Sequence, residues 1–154
     1  MFSKEEKSAL NQSFWTEFKN SMKKSSTQLQ RRVNWLQYPT HLKHTYLRLV
    51  FDQEEAAVCY DIQFKDEEIR ALFWDQLIEL KTLIDHNMGV STLWIQNFET
   101  NEGSTISRLK WQDRSLCLHQ KKDWKKAHVF FKERLLEFDG FYQEYKEILI
   151  NLIK

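Results

Sequence analysis

Glycine and proline are scarce in this sequence, which contains three glycines and one proline among its 154 residues. So few turn-forming residues leave little room for long loops or disordered linkers. No apolar run approaches the roughly 20 residues of a membrane span, and the polar N-terminus of mixed charge does not match a secretory signal. The sequence therefore predicts a single domain over residues 1–154 without membrane contact.

Cysteine and net charge are also low. Cys59 and Cys117 are far apart and form no C-x-x-C pair, so we expect two free thiols in the cytoplasm. The formal net charge is only +1, which gives the whole chain no attraction to nucleic acid or to a membrane surface. The three glycines are scattered, which excludes the usual glycine-rich nucleotide loops. We expect no cofactor.

Aromatic residues, in contrast, are abundant. Eleven Phe, six Trp and five Tyr make up 14% of the chain. Each large ring buries much surface area when it packs, so the core is predicted to be rich in rings.

The apolar periodicity predicts an α+β fold, with a mainly antiparallel sheet of four or five strands packed with three helices in the order α-β-β-β-α-β-β-α. A capping box at Ser3 and Glu6 begins a helix that is expected to end near residue 23. Residues 33–38 predict a short first strand. Alternation over residues 45–51 and 57–64 predicts an antiparallel hairpin.

The second half of the chain is predicted as helix, hairpin and helix. Asp66 is expected to cap a helix whose apolar stripe includes Ile69 and Leu72, and Gly89 is expected to end it in a left-handed conformation. Residues 93–98 and 105–111 predict a second hairpin. In the last helix, which begins after Asp123, Gly140 predicts a kink or a break.

Five short fragments carry a resemblance to a known family. They are Phe14-Trp15 with Phe18; Trp35-x-x-Tyr38-x-Thr40 before Tyr46-x-Arg48; Glu79-Leu80-Lys81-Thr82-Leu83; Ile106-Ser107-Arg108; and Asp123-Trp124 before Phe130-Phe131-Lys132-x-Arg134. In this order and spacing they resemble a bacterial family called domain of unknown function 4268, from the first helix to about Tyr142. One departure is Lys125, which stands where the family has proline.

The resemblance implies an α+β domain that occurs alone or behind restriction-nuclease-like domains. It implies no catalytic residues, so no site residue can be transferred from the family to this chain.

The most specific chemical hypothesis is a restriction-endonuclease-like nuclease, in which an acidic-x-Lys motif lies late in the third strand. Gln63-Phe64-Lys65 stands at that place as a Gln-x-Lys variant, and Asp61 lies two residues earlier on the same strand face. Metal-assisted hydrolysis needs several carboxylates, but residues 41–46, expected beside Lys65, contain no acid. A polar outer face on an exposed strand is therefore the preferred interpretation, without catalytic residues or a metal.

Basic residues are concentrated in two segments, 18–51 and 103–132, where acids are few. If these segments adjoin, they form a positive face with aromatic rings that can stack on bases. The predicted polar surface site consists of Arg48, Asp61, Gln63, Lys65, Arg108 and Lys110. The predicted stacking rings are those of Trp35, Tyr38, Tyr46 and Trp111.

The expected function is a non-catalytic binding or regulatory module. Its expected partner is another protein or a second copy of the chain, with the last helix as the predicted dimer seam. One alternative is a nucleic-acid-binding accessory domain of a restriction or defence system. A degenerate restriction-endonuclease-like nuclease is a further alternative.

Overall fold

The computed structural model describes residues 2–28 and 31–154, and for residues 25–28 it describes the backbone only. Its helices and strands are α1 (Lys4–Gln28), β1 (Thr45–Phe51), β2 (Ala56–Ile62), α2 (Glu67–Glu79), α3 (Lys81–Asn87), β3 (Leu93–Glu99), β4 (Thr105–Asp113) and α4 (Trp124–Ile153). The strands form one antiparallel sheet in the order β1-β2-β4-β3. The predicted α+β class and both predicted hairpins are confirmed.

Helices α1, α2 and α4 pack against one face of this sheet through aromatic rings. The ring pairs are Phe14 with Phe51 (4.6 Å), Trp74 with Trp94 (5.6 Å) and Phe138 with Tyr60 (5.1 Å). Helix α3 packs on α4. Because strand side chains alternate, the residues between these ring-bearing positions lie on the opposite side of the sheet, which we call the outer face.

Strand β2 lies in the centre of the sheet, between β1 and β4, and all seven of its residues are buried. The expectation that this strand has an exposed outer face is therefore wrong. Its outer side is covered by long side chains that reach over it from the two neighbouring strands.

Two predictions about the first fifty residues are wrong. Helix α1 continues past residue 23 to Gln28. The predicted first strand is instead a 3-10 turn over Trp35–Gln37, capped by the side chain of Asn34, which accepts a hydrogen bond from the Gln37 backbone. That local side-chain bond offers the backbone an alternative to strand pairing.

The predicted second helix is divided at Leu80, whose backbone N–H bonds to the carbonyls of both Gln76 (3.3 Å) and Leu77 (3.0 Å). This tightened turn separates α2 from α3, so the described residues form four helices rather than three. Two members of the predicted apolar stripe, Ile69 and Leu72, are exposed. The buried side of α2 is formed instead by Arg70, Phe73, Trp74 and Leu77.

The predicted left-handed conformation at Gly89 and the predicted break at Gly140 are both wrong. Gly89 has no left-handed conformation, and its backbone N–H donates to Glu137 Oε1 at 3.0 Å. Helix α4 runs without a break through Gly140. Of the described glycines only Gly103, in the turn between β3 and β4, has a positive φ, at 82°. In the same described ranges, no helix is long and apolar enough to cross a membrane.

Candidate functional site

The register of the sheet aligns polar and apolar side chains in two rows across the outer face. One row is Tyr46, Asp61, Arg108 and Ile95, and the next is Arg48, Cys59, Lys110 and Leu93. The two rows therefore bring four strands, far apart in the sequence, to one surface.

A β-bulge adds an apolar residue to this surface. Between Ile95 and Phe98 the edge strand β3 has one residue more than its partner, so both side chains lie on the outer face. The bulged carbonyl of Gln96 is not left unpaired, because the Ser107 hydroxyl donates to it at 2.7 Å.

At the centre of the outer face, Asp61 lies between two arginines. Its side chain is only 1% exposed. Arg108 binds it through two hydrogen bonds, Nε to Oδ1 at 2.7 Å and Nη2 to Oδ2 at 3.0 Å. Nε of Arg48 lies 3.3 Å from Oδ2. Two guanidinium groups on one carboxylate compensate its burial and leave the cluster with one positive charge.

Each of these arginines also stacks on an aromatic ring. The guanidinium carbon of Arg48 lies 4.6 Å from the centroid of Tyr46, and that of Arg108 lies 4.1 Å from the centroid of Phe98. The hydrogen bond to Asp61 is the main reason why the pKa of Arg108 is raised. The ring and the carboxylate together fix the orientation of both guanidinium groups.

A cleft of about 1190 Å³ extends from this cluster to the start of α2 and to the β3–β4 turn. Its charged lining residues are Arg48, Lys65, Arg70, Arg108, Asp61, Glu67, Glu99 and Glu102. Four cations thus face four carboxylates, and the charges of the cleft are balanced.

A family model described as "Domain of unknown function (DUF4268)" matches residues 10–146 of the 154-residue chain. The chain belongs to this family. No curated protein and no solved structure matches it.

The cleft of this DUF4268 chain gathers five of the six residues predicted for the polar surface site, and these are Arg48, Asp61, Gln63, Lys65 and Arg108. Lys110 is the exception, because it lies outside the cleft and pairs with Glu55 at 2.8 Å. Residues 18–51 and 103–132, the two basic segments, therefore meet on this surface through Arg48 and Arg108.

Three of the four predicted stacking rings are wrong for the DUF4268 domain. Trp35, Tyr38 and Trp111 are 4%, 6% and 0% exposed, so they offer no face to a ligand. They pack in the core, and the Tyr38 hydroxyl donates to buried Asp139 at 2.5 Å. Tyr46, at 42% exposed, is the one predicted ring that lies on the surface.

Phe98 and Arg70 are two cleft residues on which the site depends and which the sequence did not predict. Phe98 reaches the outer face only because of the bulge, which a simple alternation of two does not predict. Arg70 stands among apolar neighbours in α2, and its burial depends on packing that helical periodicity alone does not reveal. In the described part of the chain, no group of three or more His, Cys, Asp or Glu residues is placed to hold a metal ion.

Proposed function

We propose that this protein is a non-catalytic binding module that binds a protein partner on the outer face of its sheet. The observation that supports this is the make-up of that face, where Arg48 and Arg108 stack on rings beside the apolar side chains of Leu93 and Ile95. Arginine and aromatic residues are enriched in the energetically important centres of protein interfaces.

The charge balance of the cleft favours a protein over a nucleic acid. A nucleic-acid face needs an excess of positive charge to replace the counterions of the phosphates. Here Glu67, Glu99 and Glu102 lie in the same cleft as the basic residues. Interspersed charges of both signs are typical of a surface that selects a complementary protein.

The proposal places the module in the cytoplasm, and the two free cysteines, Cys59 and Cys117, support this compartment. The partner is a different protein or a second copy of this chain. Under this proposal either partner covers the outer face of the sheet, in place of the dimer seam predicted on the last helix.

Site-specific photocrosslinking in the source cells tests the proposal. A photoreactive residue at Tyr46 on the outer face is expected to give a discrete protein adduct that weakens on Arg48→Ala. The matched control places the same residue at Val129 of α4, which is 50% exposed. An adduct of two copies of the chain would identify a homodimer. Identical adducts from both positions would contradict a partner on the outer face.

Nucleic-acid binding is the second candidate, because Arg48 and Arg108 join the two basic segments beside an exposed tyrosine. Fluorescence anisotropy with DNA and RNA, single-stranded and duplex, separates the two functions. The protein-binding proposal expects no saturable binding. Saturable binding that falls steeply with salt and is lost in Arg48→Ala would favour nucleic acid instead.

A further inference from the structure

Among the residues that the structure describes, Arg70 is a buried arginine without an acidic partner. It lies in the first turns of α2 and is 7% exposed. Among the described residues its side chain makes one hydrogen bond, a long one from Nη1 to the carbonyl of Phe64 at 3.4 Å. No carboxylate in the described part of the chain lies within ion-pair distance of it. In contrast, buried Arg134 binds Glu137 at 2.6 Å.

The remaining side-chain nitrogens of Arg70 have no hydrogen-bond partner among the described residues. Nε and Nη2 make no hydrogen bond among the described residues, and neither is among the fully buried atoms that lack a partner. Arg70 itself lines the cleft, so a ligand there is the partner these donors lack among the described residues. A guanidinium has its donors in a fixed planar fork that matches an oxyanion, and a buried charge is costly when it is unpaired.

Lys65 supplies a second cation in the same cleft. Its side chain is exposed, and no ion pair to it occurs in the described residues. Arg48 and Arg108, in contrast, already hold Asp61. Lys65 and Arg70 are therefore the cleft cations that remain available to an incoming anion.

We propose that Arg70 and Lys65 form an oxyanion site that binds a carboxylate of a polypeptide partner. This rests on the proposed function and specifies which chemical group of the partner enters the cleft. A single carboxylate brings one negative charge into a cleft that holds as many cations as carboxylates. A chain of phosphodiesters would bring repeated negative charges close to Glu67 and Glu102, which makes nucleic acid the poorer ligand.

Side-chain NMR of the full chain tests the site directly. The Nε–Hε signal of Arg70, assigned by its disappearance in Arg70→Lys, is followed during titration with acetyl-triglycine. We expect a saturable shift with the free carboxylate and none with the C-terminal amide of the same peptide. Lys65→Gln is expected to weaken the binding about tenfold. The matched control, Lys126→Gln at an exposed position of α4, should leave it unchanged.

Three results would overturn the carboxylate site. They are no shift of the Arg70 signal, an equal shift with the peptide amide, and a shift that inorganic phosphate causes but the peptide carboxylate does not. If the Arg70→Lys variant folds poorly, the wild-type titration still tests the site. A titration in which no arginine Nε–Hε signal of the wild type shifts would contradict carboxylate binding at Arg70. A crosslink from Tyr46 without carboxylate binding would support protein binding on the outer face and contradict the oxyanion site. Carboxylate binding without a crosslink would support the oxyanion site and contradict protein binding on the outer face.

Discussion

At the scale of the residue, a carboxylate in the middle of a sheet is stable only when its charge is compensated. Asp61 is compensated by Arg108 through two hydrogen bonds and by Arg48 at 3.3 Å. Because Arg108 keeps 17% of its side-chain surface and Arg48 keeps 49%, water shares in this compensation. The cluster is therefore weaker than a fully buried ion pair, yet it positions both arginines of the outer face.

Asp61→Asn keeps the shape of the side chain and removes its charge. The partly buried Arg108 then faces an amide, which no longer neutralises it. We expect the free energy of unfolding to fall by about 2–3 kcal/mol, less than for a fully buried pair because Arg48 and Arg108 remain partly hydrated. Urea denaturation measures the loss. Asp85→Asn, at an exposed position of α3, is the control and should stay within about 0.5 kcal/mol of the wild type. Equal losses in both variants would contradict the role given to Asp61.

At the scale of the element, replacing either of two glycines, Gly140 and Gly89, by alanine should change the free energy of unfolding, with opposite signs. A Cβ at Gly140, an exposed position of α4, meets nothing within 4 Å, so Gly140→Ala is expected to stabilise by about 0.5–1 kcal/mol through helix propensity. A Cβ at Gly89 would lie 2.6 Å from Glu137 Oε2 and 3.0 Å from Arg134 Nη2. Gly89→Ala must displace this ion pair and is expected to destabilise by about 1–2 kcal/mol. Thermal unfolding of both variants checks the signs, and a stabilising Gly89→Ala would show that the pair moves freely.

The elements that could be predicted from the sequence are those with local signals. The hairpin of β1 and β2 follows from alternation over a few residues, and the cap of α2 follows from Asp66, whose side chain accepts from the backbones of Glu68 and Ile69. The turn at residues 35–37 was missed because a strand and a 3-10 turn share the same short apolar run, and the side chain of Asn34 decides between them.

The candidate site was predictable only in part, for a similar reason. Alternation placed Arg48 and Asp61 among the polar positions of the first hairpin, but it could not show which strand lies at the centre of the sheet. The strand order buries Asp61 and makes it a partner of two arginines. The burial of Arg70 is harder still to predict from the sequence, since it depends on how α2 packs against the sheet and α4.

At the scale of the whole molecule, three tyrosines, Tyr38, Tyr60 and Tyr142, are buried between the helices and the sheet. The thiol of Cys59 is buried on the other side of the sheet. Burial raises the pKa of the Cys59 thiol from its ordinary 9.0 to about 11. It also raises the pKa of Tyr142 from 10.0 to about 12, and it raises the pKa values of Tyr38 and Tyr60. The folded state therefore holds these protons at pH values where the unfolded chain releases them.

This difference predicts that stability falls in alkali. Above pH 9, the ordinary pKa of the thiol, the unfolded chain binds fewer protons than the folded protein, so the free energy of unfolding decreases as pH rises. Each group contributes up to about 1.4 kcal/mol per pH unit between its two pKa values. Urea midpoints across this range measure the fall. Cys59→Ala should reduce the slope between pH 9 and 10, before the tyrosines of the unfolded chain ionise at 10.0. A constant midpoint above pH 9 would mean that these groups stay hydrated in the folded protein.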